Sequence, residues 1–327
     1  MTEIIASLPP GSILILGGLL VPLIRGRLQQ VWLLALPVVS FLHLLSFPDG
    51  YLLHVHLFDY ELTPIRIDRL SLVWGYIYHL AAFLTVIYSL HVRDGVQNVS
   101  GMTYVGAAIA AVFAGDLITL FVFWELTAVT SVFLIWASRN ERAYRAGMRY
   151  LIIQVGSGVL LLAGTILHLQ QTGSIAFGPL GMGTLGTNLI FLSFGIKCAF
   201  PLLHNWLQDA YPEATVTGTV FLSAFTTKLA VYALARGFPG TEMLIWIGAV
   251  MTAFPIFYAV IENDLRRVLS YSLNNQLGFM VVGIGIGTEL SLNGTAAHAF
   301  CHILYKALLF MSMGAVLYLS LIHISEP

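Results

Sequence analysis

Residues 190–213 read IFLSFGIKCAFPLLHNWLQDAYPE. A lysine, Lys197, sits inside an apolar run, and four residues later Pro201 interrupts it. A polar end follows with His204, Asn205, Gln208 and Asp209. An ammonium in an apolar segment of bilayer length costs at least ~2.5–3.5 kcal/mol. Proline removes one backbone donor and bends or breaks a helix. A charge beside a broken helix at membrane depth is the pattern of an ion or proton pathway. The competing reading is a lysine that snorkels from a helix end, with Pro201 as an ordinary kink.

The rest of the chain weighs on that choice. It has 327 residues, 58% hydrophobic and only 9% charged, where soluble domains carry about 25% charged residues. This composition predicts an all-α, polytopic membrane protein. At ~20 residues per span, apolar runs predict eleven spans, near 8–24, 31–47, 70–92, 101–114, 117–137, 148–168, 186–209, 214–236, 243–261, 268–287 and 294–320. The net charge of −1 argues against a nucleic-acid partner. Cys198 and Cys301 both lie in apolar runs and read as small buried residues rather than a disulfide. MTEIIASLPPG at the start lacks a basic n-region and a cleavage site, so the first span is expected to be retained.

Two stretches depart from the pattern. In the stretch 48–69, PDGYLLHVHLFDYELTPIRID alternates apolar and polar residues, which predicts a short β-hairpin outside the bilayer. Residues 170–186, QQTGSIAFGPLGMGTLG, are Gly-rich and uncharged and predict a loop without strong structure.

The arginines set an orientation. Alternate loops carry Arg25, Arg27, Arg93, Arg139, Arg142, Arg145, Arg149, Arg266 and Arg267; the opposite side carries Arg66, Arg69 and Arg236. The positive-inside rule then places the N-terminus outside. The only lysines are Lys197, Lys228 and Lys306, and all three fall within predicted spans. A desolvated ammonium can lose its proton, whereas a guanidinium cannot. Buried lysines without buried arginines therefore suggest groups that change protonation state. Three structural ion-pair partners are the alternative, weakened because Glu125, in LFVFWELTAVTSVFLIW, is the one carboxylate deep in any span.

Along HAFCHILYKALLF, His298, His302 and Lys306 recur every four residues. They share one helix face over about 12 Å, as a proton wire requires. A histidine metal pair or satisfied core histidines are the competing readings. Lys228 follows Ser223, Thr226 and Thr227, hydroxyls that can hold water or act as interhelical glue. Ser270, Tyr271, Ser272, Asn274, Asn275 and Gln276 form a similar polar group early in span ten, and His79 reads as a core histidine. Bis-histidine haem ligation needs paired histidines at regular depth; His43, His79, His168 and His302 repeat no such spacing. No cysteine cluster suggests an iron–sulfur site, and no cofactor or metal is expected.

FVFWELTAVTSVFLI, GIKCAFPLLHNWLQDAYPEA, LSAFTTKLAVYALAR, NDLRRVLSYSLNNQLGFM and HAFCHILYKALLFMSMGAV resemble, in order, signature stretches of the antiporter-like subunits. That family is shared by the Mrp multisubunit Na+/H+ antiporters (the D-type member), the proton-pumping subunits of respiratory complex I and membrane-bound hydrogenases. The resemblance covers residues 65–318 and is closest in style to D-type or M/N-type members. It implies about fourteen helices with two inverted five-helix repeats and a broken helix seven. By motif, Glu125 would be the essential glutamate of helix five and Lys197 the lysine of broken helix seven, with Pro201 at the break. Lys228 would be the connecting lysine of helix eight, and His298, His302 and Lys306 the titratable row of helix eleven.

On this reading residues 1–100 hold helices 1–3 with the external hairpin, and 101–236 the first repeat. Residues 241–320 hold an incomplete second repeat, and 321–327, which depart from the family pattern, a non-native tail of a C-terminally truncated chain. The implied function is a proton-translocating subunit of a cation (Na+)/H+ antiporter in the bacterial inner membrane. It would work with other membrane subunits and have no catalytic centre of its own. The alternative is a proton-pumping subunit of an NADH–quinone oxidoreductase or a related hydrogenase. The expected cycle starts from Glu125 paired with Lys197 and passes a proton through Lys228 to His298, His302 and Lys306.

Overall fold

The computed structural model describes residues 7–58 and 60–324, with side chains through residue 320. Among the described residues, twelve α-helices and one hairpin follow in order. The helices are α1 (Ser12–Leu19, continued by a 3-10 turn, Val21–Leu23), α2 (Arg27–Leu45), α3 (Arg69–Ser89), α4 (Gly95–Phe113), α5 (Leu117–Trp136), α6 (Glu141–Thr172), α7 (Leu185–Lys197), α8 (Asn205–Ala210), α9 (Val216–Gly237), α10 (Met243–Ile261), α11 (Leu265–Ile286) and α12 (Glu289–Ile324). The strands β1 (Leu52–Leu57) and β2 (Tyr60–Arg66) lie between α2 and α3. Each of the eleven expected spans is present as helix, with α7 and α8 as the two parts of the seventh. Among the described residues, eight helices are long and apolar enough to cross a membrane, while Ser12–Leu23 and Leu185–Lys197 are shorter. Of the tail 321–327, α12 runs through Ile324 and residues 325–327 lie outside the described residues.

The hairpin is antiparallel, with Leu52 opposite Arg66 and Val55 opposite Leu62. The register shifts between Leu53 and Val55, so His54 faces both Thr63 and Pro64. Proline has no amide proton for a ladder, and a bulge is one of the few places a strand accepts it. The glycine-rich loop is better ordered than its composition suggests. Leu117 N–H donates to Ile175 O at 2.9 Å, Phe177 N–H to Gly115 O at 2.9 Å and Leu180 N–H to Gly237 O at 2.7 Å. It straps the start of α5 and the end of α9 together. Asp116 caps α5 through Thr119 N–H and also accepts from Thr63 N–H, both at 2.7 Å. The hairpin, the strap and α5 thus share one knot.

Two helix limits correct the expected spans. Helix α6 starts at Glu141, with Asn140 capping Ala143 N–H, so Arg142, Arg145 and Arg149 lie on its first turns rather than in a loop. Helix α7 stops at Lys197, and Ala199 and Leu202 then take positive φ values of 60° and 68°. The break therefore precedes Pro201. Proline pushes the residue before it out of the helical region, and the chain has left the helix by Phe200.

The core is centred on α9. Every residue from Thr217 to Ala235 is buried. Helix α10 lies at the edge, with a single buried stripe of Leu244, Gly248, Met251 and Pro255. There its backbone meets α11: a Cβ on Gly248 would lie 2.7 Å from Gly278 O, the close approach that small residues permit between membrane helices.

Candidate functional site: a buried polar line through the bundle

The site begins at the last residue of α7. Lys197 is fully buried. Its Nζ donates to Trp124 O at 3.0 Å and Thr127 Oγ1 at 2.9 Å, and sits 4.2 Å above the Trp124 ring. A helix end leaves backbone groups without intrahelical partners, so the break gives the lysine a polar neighbourhood in an apolar segment. Trp124 is itself held: its indole N–H donates to Ser157 Oγ at 3.0 Å, and Ser157 Oγ donates to Ser193 O at 2.9 Å.

Glu125 is the next residue of α5, and the expected ion pair with Lys197 is not made. The ammonium is taken by Trp124 and Thr127, while Glu125 Oε1 is buried without a hydrogen-bond partner. Successive helix residues point about 100° apart. A lysine aimed at the Trp124 side of α5 therefore meets the Glu125 charge only at longer range. The carboxylate lies instead against Gly158 of α6, where any Cβ would overlap Oε1.

Lys228, in the middle of α9, is fully buried and donates to Ser223 O at 2.6 Å. Its own carbonyl accepts from Trp74 Nε1 at 3.0 Å. The neighbouring Thr227 Oγ1 is buried without a partner. Farther along, α11 supplies partners to α12. Lys306 Nζ donates to Ser272 Oγ at 2.8 Å, and His298 Nε2 lies 2.9 Å from Gln276 Oε1. His302 is fully buried between them in sequence, with neither ring nitrogen bonded. Its ring centroid is 6.1 Å from that of His298 and 5.1 Å from that of Tyr305.

The structure thus brings together Lys197 with α5, and His298 and Lys306 with α11, while His302 packs against His298 and Tyr305 of its own helix. It does not bring Glu125 into contact with Lys197. Trp124, Thr127, Ser157 and Gly158 were not singled out by sequence reasoning. Their only sequence signal is a threonine two residues after Glu125 and the run of small residues Gly156, Ser157 and Gly158 in the sixth span. Cys198 is buried as expected, but Cys301 is exposed on the outer face of α12. His79 has both ring nitrogens occupied, by Ser40 Oγ at 2.9 Å and Gly75 O at 2.7 Å, as a core histidine does.

The family described as "NADH:quinone oxidoreductase/Mrp antiporter, TM" matches residues 114–322. The chain belongs to this family. It is 32% identical over 223 residues to the N-type subunit of the NADH-quinone oxidoreductase of Desulforudis audaxviator, a match covering 62% of this chain and 44% of that protein. It is also 32% identical over 224 residues to the D-type member of the Na(+)/H(+) antiporter of Alkalihalophilus pseudofirmus, covering 63% of this chain and 45% of that protein. These matches span less than half the length of either relative. Among solved structures, a chain of the Mrp complex from Dietzia sp. DQ12-45-1b superposes with a TM-score of 0.79 at 22% identity, over 95% of this chain and 64% of that one. At that identity the likeness speaks for the fold. The family match and the apolar helices together make this a multi-pass integral membrane protein.

Proposed function

We propose that this chain is the proton-translocating membrane subunit of a multisubunit cation/H+ antiporter of the Mrp kind, assembled with other membrane subunits in a bacterial inner membrane, N-terminus outside. The observation that carries the reading is the placement of the lysines. All three are buried within the bundle, where a permanent charge is costly and a titrating one has a use.

The proposed cycle differs from one that starts at a closed ion pair. Glu125 rests against Gly158, with one oxygen unpartnered. Rotation of its side chain toward Lys197 changes the charge felt by that ammonium. The ammonium then exchanges Trp124 and Thr127 for the carboxylate, and a proton passes by way of Lys228 to His302, His298 and Lys306. On this reading Pro201 keeps the break open beside Lys197. Residues 101–236 act as the first repeat and 241–320 as part of the second.

In vesicles carrying the assembled complex, Glu125→Gln should abolish cation-driven proton exchange, followed by a pH-sensitive dye. Exchange at the parent rate would overturn the assignment. A second reading, a proton-pumping subunit of an NADH–quinone oxidoreductase, is favoured by the equal 32% identity to an N-type subunit. The same vesicles separate the two readings: a proton gradient raised by NADH supports the second, and one raised by a Na+ or K+ pulse supports the first.

A further inference from the structure

A cavity of about 400 Å³ opens between α6, α8 and α11, its lining including Arg149, Ile153, Asn205, Trp206, Gln208 and Arg267. Arg149 and Asp209 pair across its rim at 2.5 Å. One lining residue is Trp206, whose indole N–H donates to Ile196 O at 3.0 Å, one residue before Lys197. The Trp206 ring packs edge-on against Tyr150, with centroids 5.5 Å apart. Trp206 thus touches the cavity, α6 through Tyr150, and the end of α7 beside Lys197.

Each of the two helices in the Tyr150–Trp206 contact carries a glutamine close by in sequence, Gln208 two residues after Trp206 and Gln154 four after Tyr150. Gln208 lines the cavity, is 7% exposed, and has neither amide atom bonded. Gln154, on α6, is fully buried and likewise has neither amide atom bonded. Tyr150, Gln154 and Gly158 follow one another at four-residue steps on one face of α6, each about 6 Å along the axis. Gly158 is the residue against which Glu125 rests. A primary amide in an apolar bundle is costly unless bonded, and where no protein group serves, water does.

We propose that Gln208 and Gln154 are positioning residues that hold a short file of water around the Tyr150–Trp206 contact, joining this cavity to the Glu125 carboxylate. The inference rests on the reading of Glu125 as the proton-carrying group. Gln208 takes water from the cavity, Gln154 passes it on to Glu125, and the aromatic pair keeps the file narrow. An amide donates and accepts at once, so it can orient water on both sides without carrying charge itself.

The test uses the assembled complex in vesicles. Gln154→Leu and Gln208→Leu keep most of the volume and remove the water-holding amide. Each should slow exchange about tenfold, the effect of losing roughly one hydrogen bond from the path. Gln154→Asn and Gln208→Asn should recover most of the rate, which a packing role would not produce. Assembly is checked on native gels. A second measurement does not depend on those variants folding: Ile153→Cys, at the cavity wall, is treated with a membrane-impermeant thiol reagent, with the parent protein as control. Blocked exchange in the cysteine variant alone supports the route. Leucine variants that assemble and exchange at the parent rate overturn it, as does full exchange after Ile153→Cys is labelled. Glu125→Gln, run alongside, separates the two claims: if it still exchanges, the role of Glu125 fails, whatever the glutamines do.

Discussion

Helices α9 and α10 are both apolar, of similar length and consecutive in the chain, yet they occupy opposite environments. Helix α9 is buried throughout and carries Thr217, Thr219, Ser223, Thr226, Thr227 and Lys228. Helix α10 is exposed over most of its surface, with Trp246 69%, Phe257 72% and Val260 79% exposed, and carries no charge. The soluble rule is inverted. In a bilayer the outside is as apolar as a core, so hydrophobicity identifies both helices as spans without ordering them from inside to outside. Polar residues do the ordering, because they find partners only among other helices.

The largest effect expected from this contrast is a lysine on the wrong helix. Val250→Lys, mid-helix on the outer part of α10, should cost about 3 kcal/mol of insertion, read as lost protein in the membrane fraction. Lys228, in the middle of α9, stands because Ser223 O receives it. Next comes the one stripe by which α10 holds on. Gly248→Leu forces α10 away from Gly278 and should cost about 2 kcal/mol, measured by thermal unfolding in detergent.

A smaller effect belongs to the end of α9. Arg236 donates to Asp68 at 2.8 Å, and Arg66 lies 3.5 Å from the same carboxylate. Burial pushes the Asp68 carboxyl up, but the hydrogen bond and charge of Arg236, with Ser71 N–H and Arg66, outweigh it and hold the group below its ordinary range. A depressed carboxyl contributes stability above its unfolded value of 3.8 and loses it as pH falls through the folded value. Asp68→Asn should therefore lower stability by about 1 kcal/mol near pH 7, discounted for its partial exposure. The gap between variant and parent should close below pH 3.8. An unchanged gap at low pH would sink the account. The smallest effect should be Phe257→Ala on the outer face of α10, within about 0.5 kcal/mol. A larger loss would mean that this face is covered in the assembled complex.

The spans, the hairpin and the break near Pro201 were legible because each has a local cause: apolar length, two-residue alternation, or a missing amide proton. The start of α6 was not. Glu141 pairs with Arg145 one turn on, and Arg149 with Asp209, so charges that read as loop are a solvated helix end. The separation of Glu125 from Lys197 was hidden for another reason. Their spacing of 72 residues says nothing about which side of α5 the lysine approaches, and one residue of helix turns the side chain by about 100°. The strap at 170–186 drew its order from backbone bonds to Gly115, Leu117 and Gly237, which composition does not register.

The knot at Asp116 has a kinetic consequence. Helix α5 begins with its first turn capped and the hairpin and strap bonded to it, and Glu125 lies nine residues further along. With that frame fixed, the freedom left to the carboxylate is rotation about its own side-chain bonds. Such rotations are orders of magnitude faster than the microsecond-to-millisecond shifts of whole helices. In the proposed cycle Glu125 is then a quick toggle on a rigid post, and the pace falls to the slower delivery and removal of protons on either side.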